Sequence, residues 1–119
     1  MTAILPATNR RWLLAARPQG AVRESDFRLV EAPLAPLQPG QFRIRTLYLG
    51  VAAVMRGYML NTEKFERPLE LGDVMHGRGV GRIIESRHPG FEVGEIVHGK
   101  LGWQDYAIAD GSPYDLMYK

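Results

Sequence analysis

Hydrophobic and polar residues alternate most regularly from Gln41 to Val51 (QFRIRTLYLGV), where Phe42, Ile44, Thr46 and Tyr48 share one phase and Arg43 and Arg45 the other. A repeat of two marks a strand, so this segment predicts a β-strand with Tyr48 on the same face as Phe42, Ile44 and Thr46. Asn9 to Arg17 (NRRWLLAAR) reads as a first strand, closed by the turn residues Pro18-Gln19-Gly20. Phe27 to Ala32 (FRLVEA) reads as a second, broken by Pro33-Leu34-Ala35-Pro36.

Val51 to Leu60 (VAAVMRGYML) has good helix formers and no breaker before Gly57. It predicts a short helical turn, followed by a polar loop from Asn61 to Arg67 that borders a pocket. Leu71 to Ser86, Glu92 to Gly99 and Gly102 to Ala109 each place β-type residues after glycine. They predict further strands, with glycines where a side chain would crowd a neighbouring strand. The pattern is that of a mostly β domain over residues 9–111, with terminal tails over 1–8 and 112–119.

Composition narrows the function classes. The chain has 119 residues, 45% hydrophobic and 24% charged, as expected for one compact domain. Fifteen basic residues stand against thirteen acidic ones, and Arg10-Arg11 is the one adjacent basic pair, so no cationic stripe predicts nucleic-acid binding. The absence of cysteine excludes disulfides, thiolate zinc ligands and thiol nucleophiles. No apolar run approaches a membrane span, and Met1 to Pro6 does not read as a secretory leader, so a cytoplasmic protein without membrane contact is expected.

Three candidate chemistries weaken on inspection. Gly77-Arg78-Gly79-Val80-Gly81 lacks the spacing of a dinucleotide loop and runs into Arg82-Ile83-Ile84, which is strand rather than helix sequence. His76, His88 and His98 stand too far apart in the chain for a tight zinc motif, and no metal site is expected. Ser25, Ser86 and Ser112 lack the context of a nucleophile elbow. The aromatic and methionine residues say more. Tyr48, Met55, Tyr58 and Met59 crowd the passage from strand to helical turn, and Trp103 and Tyr106 lie on a segment able to fold back beside it. Flat apolar surfaces carrying phenol or indole donors suit small carbonyl ligands, although core packing also explains most of these residues.

A family resemblance rests on Asn9-Arg10-Arg11-Trp12, Phe27-Arg28-Leu29, Leu47-Tyr48-Leu49, Met55-Arg56-Gly57, Val74-Met75, Gly77, Gly79-Val80-Gly81, Ser86, Pro89, Phe91, Val93-Gly94 and Gly102-Trp103. On these residues the chain resembles the N-terminal domain of zinc-independent medium-chain dehydrogenase/reductases, in the branch of prostaglandin reductases, alkenal double-bond reductases and curcumin reductases. The resemblance implies a GroES-like, partly open β-barrel with short helical turns and no Rossmann domain. It implies the substrate side of an NADP-dependent enzyme that reduces the double bond of α,β-unsaturated carbonyl compounds. NADP is then the cofactor of the complete enzyme, with none bound by this chain alone.

The implied substrate-binding residues are Tyr48, Val54, Met55, Arg56, Tyr58, Met75 and Trp103, with Tyr48 or Tyr58 as hydroxyl donor. Arg56 is either a carbonyl or anion contact or the partner of an acid such as Glu63. The position of the metal-ligand motif in zinc-dependent relatives reads Gly77-Arg78 here. Gly50-Val51-Ala52-Ala53-Val54 departs from the family's usual Ser-x-Asp-Pro-Tyr, which implies a more apolar pocket. The run Tyr114 to Lys119 does not resemble the family's continuation into a cofactor domain, and is expected to be a natural or engineered end. Two other readings stand beside the reductase domain. One is a free-standing barrel binding a small apolar carbonyl ligand, with or without cofactor-independent isomerase or cyclase activity. The other is a homodimer through the face that a Rossmann domain normally covers.

Overall fold

The computed structural model describes residues 8–62, 67–112 and 117–119. Six strands carry the fold: β1 (Thr8–Leu14), β2 (Phe27–Pro33), β3 (Phe42–Leu49), β4 (Arg78–Ser86), β5 (Ile96–Lys100) and β6 (Tyr106–Ala109). Among the described residues one α-helix, α1 (Val54–Met59), lies inside the segment expected to be helical, and a single 3-10 turn covers Glu24–Asp26. All strand pairs are antiparallel. β1 and β2 form one sheet, and β5-β4-β3-β6 form the other. Isolated bridges from Arg11 to Gln104 and from Leu13 to Val74 join β1 to the segments that precede β6 and β4, and among the described residues the two sheets do not close into a ring.

Several strands are shorter than their sequence pattern predicts. β1 stops at Leu14, where the chain turns off to bond Ala15 and Ala16 N–H to the Asp26 carbonyl. The strand expected from Leu71 begins only at Arg78, and that expected from Gly102 only at Tyr106. Gly102 adopts φ +73°, a left-handed conformation that redirects the chain and leaves Trp103 outside the regular ladder. The Trp103 N–H then donates to the Met75 carbonyl, and its own carbonyl accepts from Trp12.

β3 departs from its simple alternation. Thr46 faces Gly81, whereas Tyr48 faces Val80, so Leu47 is an extra residue on β3. Such a bulge inverts the facing of every later residue. Phe42 and Ile44 are fully buried as expected, while Tyr48 is 74% exposed. Arg43, expected on the face opposite Phe42 and Ile44, is buried too. It pairs with Glu85, its cross-strand partner, and donates to the Ala35 carbonyl of the loop laid over that face.

Two apolar clusters result. Phe42, Ile44, Ile83, Val97, Leu101, Ala107 and Ala109 fill the larger sheet, flanked by Phe91 and Met117. Leu14, Met55, Met59, Leu69 and Met75 form the second, flanked by Phe27, Tyr58 and Trp103. The second cluster seats α1 against the start of β4. At the other end of the sheet, Tyr118 exchanges two backbone hydrogen bonds with His98 on the β5 edge.

Candidate functional site

The end of β3 and the start of β4 are joined by one backbone hydrogen bond, Gly50 N–H to the Arg78 carbonyl at 2.9 Å. It sets the turn that leads into α1 beside residues 76–78. Met55, on the inner face of α1, approaches Gly77 from one side, and the Trp103 indole lies directly against it. A Cβ at position 77 would stand 2.8 Å from Trp103 Cδ1 and Nε1, so a ligating side chain there is incompatible with the indole as placed. Trp103 is itself stacked on Phe27, with ring centroids 5.2 Å apart. Its Nε1 is buried without an acceptor among the described residues.

The structure brings Met55, Tyr58, Met75 and Trp103 into one neighbourhood, but in different roles. Met55 and Met75 are core residues, Met75 only 1% exposed although it also lines the floor of the cleft beside Tyr58, and both support the wall from behind. Tyr58 reaches the surface, where it lines a cleft of about 180 Å³ with Val74, His76, Arg78, Lys100 and Gln104. Its ring meets the His76 imidazole edge to face at 5.9 Å. His76 Nε2 in turn donates to the Arg67 carbonyl at 3.0 Å.

Tyr48 lies farther out, over a shallow apolar surface shared with Leu49, Gly50, Arg78 and Val80. Val54 and Val51 are exposed as well, the latter 81%. Arg56 points elsewhere. Its Nε and Nη2 both donate to the Gly20 carbonyl, at 3.0 and 2.8 Å, and so tie α1 to the turn after β1. Glu63, its expected acidic partner, lies outside the described residues.

On the other side of Trp103, a groove runs between Trp12, Leu29, Thr46 and Leu49 and is rimmed by Arg10 and Asp105. The Arg10 guanidinium donates two hydrogen bonds to the Asp105 carboxylate, and the Arg10 backbone N–H adds a third. These bonds hold the Asp105 carboxyl below its ordinary range, against the opposing effect of partial burial, and raise the Arg10 guanidinium above its own. The three histidines do not converge. His76 meets Tyr58, His88 meets Phe42 and Phe91, and His98 stacks on Tyr118. No group of three or more metal-ligating side chains gathers among the described residues.

The residues that the sequence reading passed over are His76, weighed only as a metal ligand, together with Arg78 and Lys100. Arg78 had a signal, since it follows Gly77 at the family's metal-motif position. Lys100 had none before the β4–β5 register was known.

A sequence-family profile described as the N-terminal domain of oxidoreductase matches residues 10–116. The chain belongs to this family. This oxidoreductase N-terminal domain is 45% identical over 103 residues to the NADPH-dependent curcumin reductase of Escherichia coli, covering 87% of the chain and 30% of the relative. It is 34% identical over 108 residues to prostaglandin reductase 1 of Oryctolagus cuniculus, covering 91% and 29%. Both relatives place it in the curcumin and prostaglandin reductase branch of the medium-chain dehydrogenase/reductases. The crystal structure of CurA from Vibrio vulnificus superposes with a TM-score of 0.82 at 38% identity, over 88% of this chain and 31% of that one. The same protein is also known in complex with NADPH. The domain therefore spans about three-tenths of the length of the relatives it matches. Among its described residues no helix is long and apolar enough to cross a membrane.

Proposed function

We propose that this domain forms the substrate-side wall of a cytoplasmic NADP-dependent reductase acting on the double bond of α,β-unsaturated carbonyl compounds. The observation that carries the reading is the wall joined by the Gly50–Arg78 hydrogen bond. There one phenol, Tyr58, stands in a cleft beside uncovered apolar residues, in a chain 45% identical to a reductase that uses NADPH.

The described residues fit one side of such a site. Val51, Val54 and Tyr48 offer flat apolar surface to the body of an enone, and exclude water along the side they cover. The Tyr58 hydroxyl is the donor best placed to meet the carbonyl oxygen, where a hydrogen bond strengthens as enolate charge develops. NADPH, bound largely by the remainder of such an enzyme, supplies the hydride. Met55, Met75 and Trp103 act one layer down, fixing α1 and the start of β4 so that the wall keeps its shape.

The test is an equilibrium titration of the chain with a 2-alkenal and with an aryl enone, followed by the fluorescence of its two tryptophans, Trp12 and Trp103. Saturable binding that is lost in Tyr58→Phe supports the reading. Absence of any saturable response to either compound refutes it.

A further inference from the structure

Arg10 and Arg11, adjacent in the chain, project from opposite faces of β1 and differ in their surroundings. Arg10 is bound by Asp105 and stands opposite Glu31 in the β1–β2 register. Arg11 is half-buried, its Nε has no acceptor among the described residues, and it enters none of the ion pairs formed among them. The neutral groups beside it are committed to one another. Asn9 Nδ2 donates to Gln104 Oε1 and to the Tyr106 carbonyl, Asn9 Oδ1 accepts from the Tyr106 N–H, and Gln104 Nε2 donates to the Leu101 carbonyl. Arg11 lines a cavity of about 280 Å³ between β1, β6 and the loop after β2. Arg43 forms another part of its wall, but that guanidinium is met by Glu85 and by the Ala35 carbonyl. None of the described lining residues is acidic, and Pro33, Leu34, Ala35 and Ile108 give the cavity an apolar side. Burying a charged donor without an acceptor is costly, and an anion supplied from outside removes that cost.

We propose that this cavity binds a small organic carboxylate, with its oxygens on Arg11 and its short apolar body against Pro33, Leu34 and Ile108. Arg11, Leu34 and Ile108 do not line the cleft of Tyr58, so the site stands apart from the enone-reductase reading and does not depend on it. The planar fork of an arginine, Nε–H beside one Nη–H, matches the two oxygens of a carboxylate with parallel hydrogen bonds. The apolar side of the cavity favours a short carboxylic acid over a phosphate, whose remaining oxygens would lie against proline, leucine and isoleucine without donors. A carboxylate held there bridges β1 to the loop laid over β3, and its binding to the folded chain alone registers as added stability.

The experiment follows thermal unfolding of the chain with sodium butanoate, with butan-1-ol and with inorganic phosphate, near neutral pH and at one ionic strength held with sodium chloride. Saturating butanoate is expected to raise the melting temperature by about 5 °C. Butan-1-ol, which lacks the charge, and phosphate, which lacks the apolar chain, should leave it nearly unchanged. The butanoate shift should vanish in Arg11→Gln and shrink in Arg11→Lys, which keeps the charge without the planar fork. It should persist in Arg82→Gln, which removes an exposed cation on β4. No shift with butanoate, an equal shift with phosphate or with butan-1-ol, or a shift that survives Arg11→Gln each overturns the proposal. Should Arg11→Gln fail to fold, the comparison rests on Arg11→Lys, where an undiminished shift overturns it. None of these outcomes bears on the enone titration, which reads a different part of the fold.

Discussion

Gly77 lies so close to the Trp103 indole that a single methyl group on it would overlap the ring. The indole is held by stacking on Phe27 and by the bond of its own backbone N–H to Met75, so it cannot swing aside without disturbing the second core cluster. Gly77→Ala is therefore expected to lower stability by about 1–3 kcal/mol, the usual cost of overpacking. Denaturant unfolding followed by fluorescence measures it. In a Trp103→Leu background the same substitution should cost much less, and purely additive effects of the two changes would show that the contact is not the cause.

Gly81 is a harder case. A Cβ there would overlap Ile44 Cγ2 and meet the Arg45 carbonyl oxygen at 2.6 Å, and the second of these belongs to the backbone of the central strand. Gly81→Ala should destabilise the chain more than Gly77→Ala does. Gly50 provides the contrast, because its Cβ would find only the Arg78 carbonyl oxygen at an ordinary 3.6 Å. Gly50→Ala should stay within about 0.5 kcal/mol of the parent. Melting temperatures of the three variants, measured side by side, test the order.

The contrast shows what was legible in advance. The clustering of glycine around Gly77 to Gly81 correctly announced close strand crossing, because only a residue without Cβ fits there. The alternation of β3 correctly announced the burial of Phe42 and Ile44. It did not show that Tyr48 leaves the face of Phe42 and Ile44, because a bulge depends on the partner strand, nor that a loop and Glu85 cover Arg43. Met55, Tyr58, Met75 and Trp103, named together from the sequence, are neighbours in the fold, while the opposition of Arg78 and Lys100 waited on the register of two separate segments.

Arg43 gives a prediction of the opposite kind. Its side chain is 4% exposed and depends on Glu85, whose own side chain is 41% exposed. Glu85→Ala leaves the buried guanidinium with the Ala35 carbonyl but without a counter-charge. The expected cost is about 1–3 kcal/mol, below that of breaking a fully buried pair because water reaches the Glu85 side. Replacing both partners by apolar residues should recover part of the loss, as a double-mutant cycle will show.

Asp105 sets a pH dependence. The Arg10 hydrogen bond depresses its folded-state pKa, so its contribution is present above the ordinary carboxylate range and is lost as pH falls through the lower, folded value. Stability measured from neutral pH downward should decline on the acid side, and Asp105→Asn should flatten that limb. Glu95, lowered chiefly by the Glu92 backbone N–H and also by Lys119, acts in the same direction. The Asp105→Asn curve should therefore keep some slope. An acid limb unchanged by Asp105→Asn would contradict the assignment.

Arg56, although next to the wall, holds a turn. Arg56→Gln is expected to accelerate hydrogen exchange around Gly20 and in α1, through loss of the two bonds to the Gly20 carbonyl. Enone affinity should change far less than in Tyr58→Phe. A loss of affinity as large as that of Tyr58→Phe would place Arg56 on the ligand.

The extra residue at Leu47 gives β3 two allegiances within eight positions. Its first half faces inward to build a core, and its last residues face outward to build a surface. One consequence concerns length rather than identity. Removing a single residue between Thr46 and Tyr48 would restore the plain alternation, turn the phenol inward and dissolve the outer apolar surface without changing any side chain on it. Conservative substitutions along this stretch should be absorbed readily, whereas a one-residue deletion should not.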